Sequence, residues 1–175
     1  YIEIIGDIND VPSLMQGRIM GGASDPSYAL LEGSDYVGDA LISRISVGTV
    51  DELKNQLNKV MVHEKGLYST TDWIKHAFAG ACTSGPDRSA HAQEIATAMQ
   101  NHPTYFTSVR KTLESDGGGT TKIKDAIENF GTNIFTYIGH GDETGFRSLP
   151  FTVSDARSLA ASGNRFPMIH AVACL

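Results

Sequence analysis

The sequence predicts an α/β fold, a three-layer αβα sandwich around a mostly parallel central sheet, and three observations carry that expectation. Short apolar runs rich in β-branched and aromatic residues alternate with stretches of helical periodicity along most of the chain. The connections between them are short, which for a strand-helix-strand order means parallel βαβ units with helices on both faces. Two of the predicted strands run into residues with chemistry to offer, His140 after Ile138-Gly139 and Cys174 after Val172-Ala173. Open α/β sheets hold their ligand crevice outside the carboxyl ends of the strands.

In chain order, residues 1–5 read as a strand closed by Gly6-Asp7, and Asp7, Asn9, Asp10 and Pro12 compose a turn-rich loop. Residues 13–38 are irregular and glycine-rich, with residues 28–31 a candidate short strand. Residues 39–46 read as a strand. Thr49 with Glu52 three positions on opens a helix to about Lys65, whose Leu53, Leu57, Val60 and Met61 form an apolar core stripe. Residues 73–81 read as a strand, residues 89–100 as a helix and residues 105–110 as a strand. Gly117-Gly118-Gly119 lacks the Gly-Lys-Ser/Thr order of a phosphate loop and reads as a flexible entry to a helix over 121–130. The strand over 133–138 ends at Gly139. A helix over 154–161 with Gly163 as its stop, then a strand over 167–173, completes the series.

Size allows one domain over residues 1–175. With 41% hydrophobic and 19% charged residues the chain is globular. A net charge of −6 with 14 scattered Lys and Arg gives no basic face, which excludes a general nucleic-acid binder. No apolar run approaches the roughly 18 residues of a membrane span. Cys82 and Cys174 each close an apolar segment, so a structural disulfide is not expected. The chain opens inside a strand and ends one residue after Cys174, as expected of a piece of a larger protein with additional domains.

Hydrolysis by a cysteine needs a thiolate, a histidine to move protons and backbone donors for the oxyanion. His140 stands between two glycines that let a substrate backbone approach, the Gly141 amide is a candidate oxyanion donor, and Cys174 is a candidate nucleophile whose own amide is the second donor. Three other assignments compete. Cys174 reads alternatively as a small hydrophobe, and His140 as a structural histidine. A zinc site from His140, Asp142, His170 and Cys174 is disfavoured because a strand spreads the last two too far apart to chelate. A small-molecule site at the same crevice lacks any phosphate-binding glycine fingerprint.

Ile138-Gly139-His140-Gly141-Asp142-Glu143-Thr144, followed by Pro167 to Cys174, resembles the catalytic segments of the gingipain-like cysteine peptidases, peptidase family C25. Upstream, Gly6-Asp7, Ser24-Asp25, Ser43-Arg44 and His63-Glu64 are similar to that family's Gly-Asp, Ser-Asp, Gly-Arg and Tyr-Glu landmarks, in the same order. The resemblance implies a caspase-like fold over 1–175 and a cysteine endopeptidase of protein or peptide substrates. In that chemistry Cys174 is the nucleophile, His140 the proton donor, and the amides of Gly141 and Cys174 the oxyanion site. It also implies an extracellular or bacterial cell-surface location, no cofactor for the chemistry, and structural calcium with Asp7, Asn9, Asp10, Asp25 and Asp35 as candidate donors.

The chain departs from the family's pattern at one position that bears on mechanism. Family members place a glutamate before a Gly-Gly-Pro turn to orient the histidine, and an aspartate shortly after it to read a basic substrate side chain. The matching stretch here is Thr83-Ser84-Gly85-Pro86, with Asp87 next. Thr83 has no carboxylate, so the third member is absent, replaced by Asp87, or unnecessary. The alternative is a catalytically inactive caspase-like module with a surface-binding or secretion-associated role.

Overall fold

The computed structural model describes residues 1–15, 23–35, 37–84, 86–102, 104–160 and 163–174, with the side chains of residues 15, 23, 86–89 and 174 outside the description. The chain forms two compact units, Tyr1–Glu64 and Lys65–Leu175.

In the first unit, β1 (Ile2–Ile5) is followed by β2 (Leu14–Met15) and β3 (Ala23–Ser24), which pair antiparallel, and by β4 (Ile42–Ile45). β1 and β4 pair in parallel, from Ile2 with Ile42 to Ile5 with Ile45. Residues 28–31, a candidate strand by composition, form no strand: 28 and 29 close a 3-10 turn over Pro26–Ala29, in which Pro26 sets the first φ of a helical turn, and 30 and 31 follow without regular structure.

Arg44 organises this unit. Its Nε and Nη2 donate to the two carboxylate oxygens of Asp25 at 2.7 and 2.6 Å, while Nη1 donates to the carbonyls of Gly6 and Val11, each at 2.9 Å. The hydrogen bond from Arg44 holds the Asp25 carboxyl below its ordinary value. A depressed carboxylate adds stability that is complete above the unfolded value of about 3.9 and is lost as pH falls through the lower folded value. Arg44→Met is therefore expected to lower the Tm at pH 7, with the gap to the native protein closing below about pH 4. A gap that stays constant across that window would assign the effect to packing alone.

Helix α1 (Val50–Lys65) starts where expected, with a variation in its cap. The Glu52 amide donates to Thr49 Oγ1 at 3.2 Å, but the Glu52 carboxylate reaches back to the amide of Gly48 at 2.8 Å instead of that of Thr49. The apolar stripe is not core as expected. Leu57, Val60 and Met61 are exposed, Leu53 is half-buried, and Val62 is the buried residue of the helix.

The second unit contains β5 (His76–Ala81), α2 (Pro86–Gln100), β6 (Ser108–Leu113), α3 (Gly119–Asp125) and β7 (Ile134–Asp142). After these come β8 (Gly145–Phe146), β9 (Phe151–Thr152), α4 (Val153–Arg157) and β10 (Met168–Cys174). The parallel strands lie in the order β6-β5-β7-β10, and β8 and β9 extend the far end of β7 as antiparallel partners. The expected α/β class and mostly parallel sheet are present. α3 passes directly into one π-helical turn, Ala126–Phe130, so the helix expected over 121–130 begins two residues earlier and changes pitch midway. The segment before β5 is a 3-10 turn, Asp72–Lys75, which buries Trp73.

Side-chain alternation along β5 divides the layers. Phe78 joins Phe135 and Tyr137 of β7, Ile123 of α3, Ile127 and the loop residue Leu149 in one core cluster. Phe78 and Phe135 stack at 4.6 Å between ring centroids. On the alternate positions Ala77, Ala79 and Ala81 are fully buried, and their small side chains allow α2, with Ala92 and Ala96 buried, to lie close against β5 and β6. β10 pairs only with β7 among the described residues, and its Met168, Ile169 and Val172 are exposed.

Candidate active site

β7 does not end at Gly139 as its composition suggested. It continues through His140 and Gly141 to Asp142, because the chain folds back and pairs Gly141 with Phe146 and Asp142 with Gly145. Gly145 makes that return at φ 150, a conformation that side chains rarely adopt. His140 thus sits within a hairpin and not on a free strand end.

The backbone of His140 is held on both sides. Its N–H donates to Ser148 Oγ at 3.1 Å, and its carbonyl accepts from the buried Tyr137 hydroxyl at 2.6 Å and the Arg147 amide at 2.8 Å. The Tyr137 hydroxyl also accepts from the Ser148 amide at 3.2 Å, closing a small network. This network explains Gly139. A Cβ there would lie 2.7 Å from Tyr137 Cζ and 3.0 Å from Ser148 Oγ, on the side from which both residues grip the histidine. Gly139→Ala is expected to cost about 1–3 kcal/mol of stability through overpacking, read by thermal unfolding, and to release His140. An unchanged Tm would mean that Tyr137 yields without cost.

The imidazole itself is exposed, and its Nε2 shares a hydrogen bond with Ser84 Oγ at 3.0 Å. Ser84 lies on the loop after β5, whose first residue, Cys82, is buried and donates its amide to the Ile138 carbonyl of β7 at 2.9 Å. The Cys82 thiol points to the Ser84 carbonyl at 3.7 Å. Neighbouring Thr83 donates its amide, at 3.0 Å, and its hydroxyl, at 3.4 Å, to Glu114 Oε2. Glu114 is not distinguishable in the sequence, and Ser84 stands there only as part of the stretch matched to the family's turn. The Ser84 contact arises from the pairing of β5 with β7, and a lone serine carries no motif.

Cys174 is the register partner of His140 on the adjacent parallel strand β10. Neighbouring strands run about 4.8 Å apart, so the two backbone positions stand side by side at the same sheet edge. Its side chain lies outside the described residues. The carbonyls of Ile138 and His140 accept from Cys82 and Arg147, both on the β5 and β8 side of β7. Alternation along a strand then turns the Gly141 amide to the opposite side, toward β10. Asp87 falls in the first turn of α2, and its side chain is also outside the described residues.

The remaining candidates are engaged elsewhere. Asp142 accepts from the hydroxyl and the amide of Thr144, both at 2.7 Å, and from Arg147; the Thr144 hydroxyl bond is the main cause that holds its carboxyl below the usual range. His170 is exposed on β10. Among the proposed calcium donors, Asp25 gives both oxygens to Arg44, Asp7 accepts from the Asn9 amide in an Asx turn, and Asp35 does the same for Val37. Among the described residues no group of three or more His, Cys, Asp or Glu side chains is placed to hold a metal ion. Asp25, with both oxygens taken by Arg44, does not fit a calcium site as it stands. No described helix is long and apolar enough to cross a membrane.

The model of peptidase family C25 matches residues 1–175. Gingipain R2 of Porphyromonas gingivalis is 28% identical over 183 residues, covering 100% of this chain and 24% of that protein. Gingipain R1 of the same organism is 28% identical, with 18% of its length covered. Among solved structures, the Arg specific cysteine proteinase gingipain R matches at a TM-score of 0.83 and 27% identity, over 99% of this chain and 40% of that one. The complex of the pro- and mature domains of RgpB from P. gingivalis matches at 0.84 and 27% identity, over 99% of this chain and 41% of that one. The chain therefore spans about a quarter or less of the length of these two relatives.

Proposed function

The chain belongs to peptidase family C25, and on that premise we propose that it carries the Cys-His centre of a cysteine endopeptidase. The observation that carries the reading is the pairing of Cys174 with His140 across adjacent parallel strands. In the proposed reaction the Cys174 sulfur attacks the scissile carbonyl carbon and the carbonyl electrons move onto oxygen, where the amides of Gly141 and Cys174 stabilise the charge. Collapse breaks the C–N bond, and protonated His140 supplies the proton that lets the amine leave. Water then attacks the thioester while His140 takes its proton, and collapse breaks the C–S bond, releasing the acid and returning the Cys174 thiolate and protonated His140 with which the cycle began. The orientation of the Gly141 amide toward β10 supports its oxyanion role. The His140 backbone network supports a fixed imidazole, since proximity is effective only when geometry is held.

The chemistry uses a thiol, an imidazole and backbone amides, and calls for no cofactor. Proteins or peptides are the proposed substrates. The relatives' longer chains support additional domains in the parent, and the kinship with the gingipains is the basis for placing it outside the cell or at a bacterial surface. One observation favours a second reading, a non-catalytic module that keeps the fold: Thr83 stands where the resemblance calls for a carboxylate. Exposure of a peptide library to the full-length parent in reducing, calcium-containing buffer separates the two. Cleavage that iodoacetamide abolishes is the expected result, and no cleavage of any peptide selects the inactive module.

A further inference from the structure

We propose that Glu114 is a positioning residue for His140, supplying from the turn after β6 the carboxylate support that Thr83 lacks; its catalytic meaning rests on the peptidase reading above. β5 lies between β6 and β7, so the loop that leaves β5 runs between the ends of both neighbours. That loop is gripped from each side. On the β6 side Glu114 Oε2 accepts from the Thr83 amide at 3.0 Å and its hydroxyl at 3.4 Å, and on the β7 side Ser84 Oγ meets His140 Nε2 at 3.0 Å. The Cys82 amide ties the start of the loop to Ile138.

A positioning residue must itself be held, and Glu114 is. It begins the 3-10 turn Glu114–Asp116 directly after β6, where the Leu113 amide donates to Asp116 Oδ2 at 2.8 Å and the Gly117 amide donates to the Glu114 carbonyl at 3.1 Å. Lys122 Nζ donates to the Asp116 carbonyl at 3.0 Å and ties the turn to α3. Hydrogen bonds from an amide to a carboxylate are charge-assisted and stronger than neutral ones. Glu114 thereby fixes the Cys82–Thr83 peptide plane and the Thr83 side chain, and the residue so held sets where the hydroxyl of the next one, Ser84, meets the imidazole. In the family's pattern the carboxylate stands at position 83. Here it comes from the turn after β6 and acts through two residues.

The test uses the full-length parent with selectively ¹⁵N-labelled histidine, the His140 signals being identified by their loss in His140→Ala. Ser84→Ala and Glu114→Ala are each expected to move the His140 ring-nitrogen resonances, and the double variant to move them no further than Ser84→Ala alone, since both act on one contact. Glu114→Gln, whose amide oxygen still accepts from Thr83, is expected to restore the native positions. In turnover, Glu114→Ala is expected to lower kcat about tenfold with KM within about twofold, and the glutamine variant to recover most of the loss. Resonances unmoved by Glu114→Ala, or single effects that add in the double variant, would overturn the proposal. A parent that cleaves no peptide overturns the peptidase reading alone, and the imidazole resonances then still decide for or against Glu114.

Discussion

Replacing Cys174 by alanine in the full-length parent lowers kcat/KM for peptide hydrolysis by at least about 10⁴-fold, the scale seen when a covalent nucleophile is removed. β10 lies against β7 with seven register pairs, and the last of them joins Cys174 to His140 at the sheet edge where α/β folds hold ligands. Removal of the sulfur leaves oxyanion donors and substrate binding in place, so a small residual rate is expected while KM changes little. Cys82→Ala serves as the contrast. Cys82 is fully buried at the start of the loop after β5, and its substitution should act on stability before activity. A Cys174→Ala variant that retains native turnover would remove the nucleophile from this account.

His140→Ala is expected to lower kcat by about 10²–10⁴-fold, the usual contribution of a general acid or base. The loss should be smaller than that from Cys174→Ala, because a cysteine retains some thiolate near neutral pH without help. Its Tm should remain near native, since the exposed imidazole meets Ser84 by hydrogen bond while the backbone network through Ser148, Tyr137 and Arg147 uses no histidine side-chain atom. This separation distinguishes a proton-transfer group from a structural one. Comparable losses of Tm and of activity would return His140 to a structural role.

Much of the fold was legible because it rests on local signals. Strand-helix alternation anticipated the parallel order, the Thr49 and Glu52 cap located the start of α1, and the apolar run over 167–173 located β10 to within a residue. His140 and Cys174 stood out because a histidine between glycines and a cysteine closing an apolar run are unusual endings for strands. What escaped the sequence depends on contacts between distant residues. The extension of β7 to Asp142 requires the return strand Gly145–Phe146, which is too short to register as a periodic pattern. The α1 stripe looked like core because periodicity reports an amphipathic face without reporting whether anything covers it. Ser84, Thr83 and Glu114 form a line only because β5 is flanked by β6 and β7, and Asp25 looked like a metal donor until Arg44 took both of its oxygens.

The central claim is that Cys174 is a nucleophile served by His140, and covalent labelling tests it most directly. The full-length parent is treated with a peptidyl acyloxymethyl ketone, and the adduct is located by mass spectrometry. The account predicts one label per chain, on Cys174, its complete loss in Cys174→Ala and markedly slower labelling in His140→Ala. Labelling of Cys174→Ala to the native extent would contradict it.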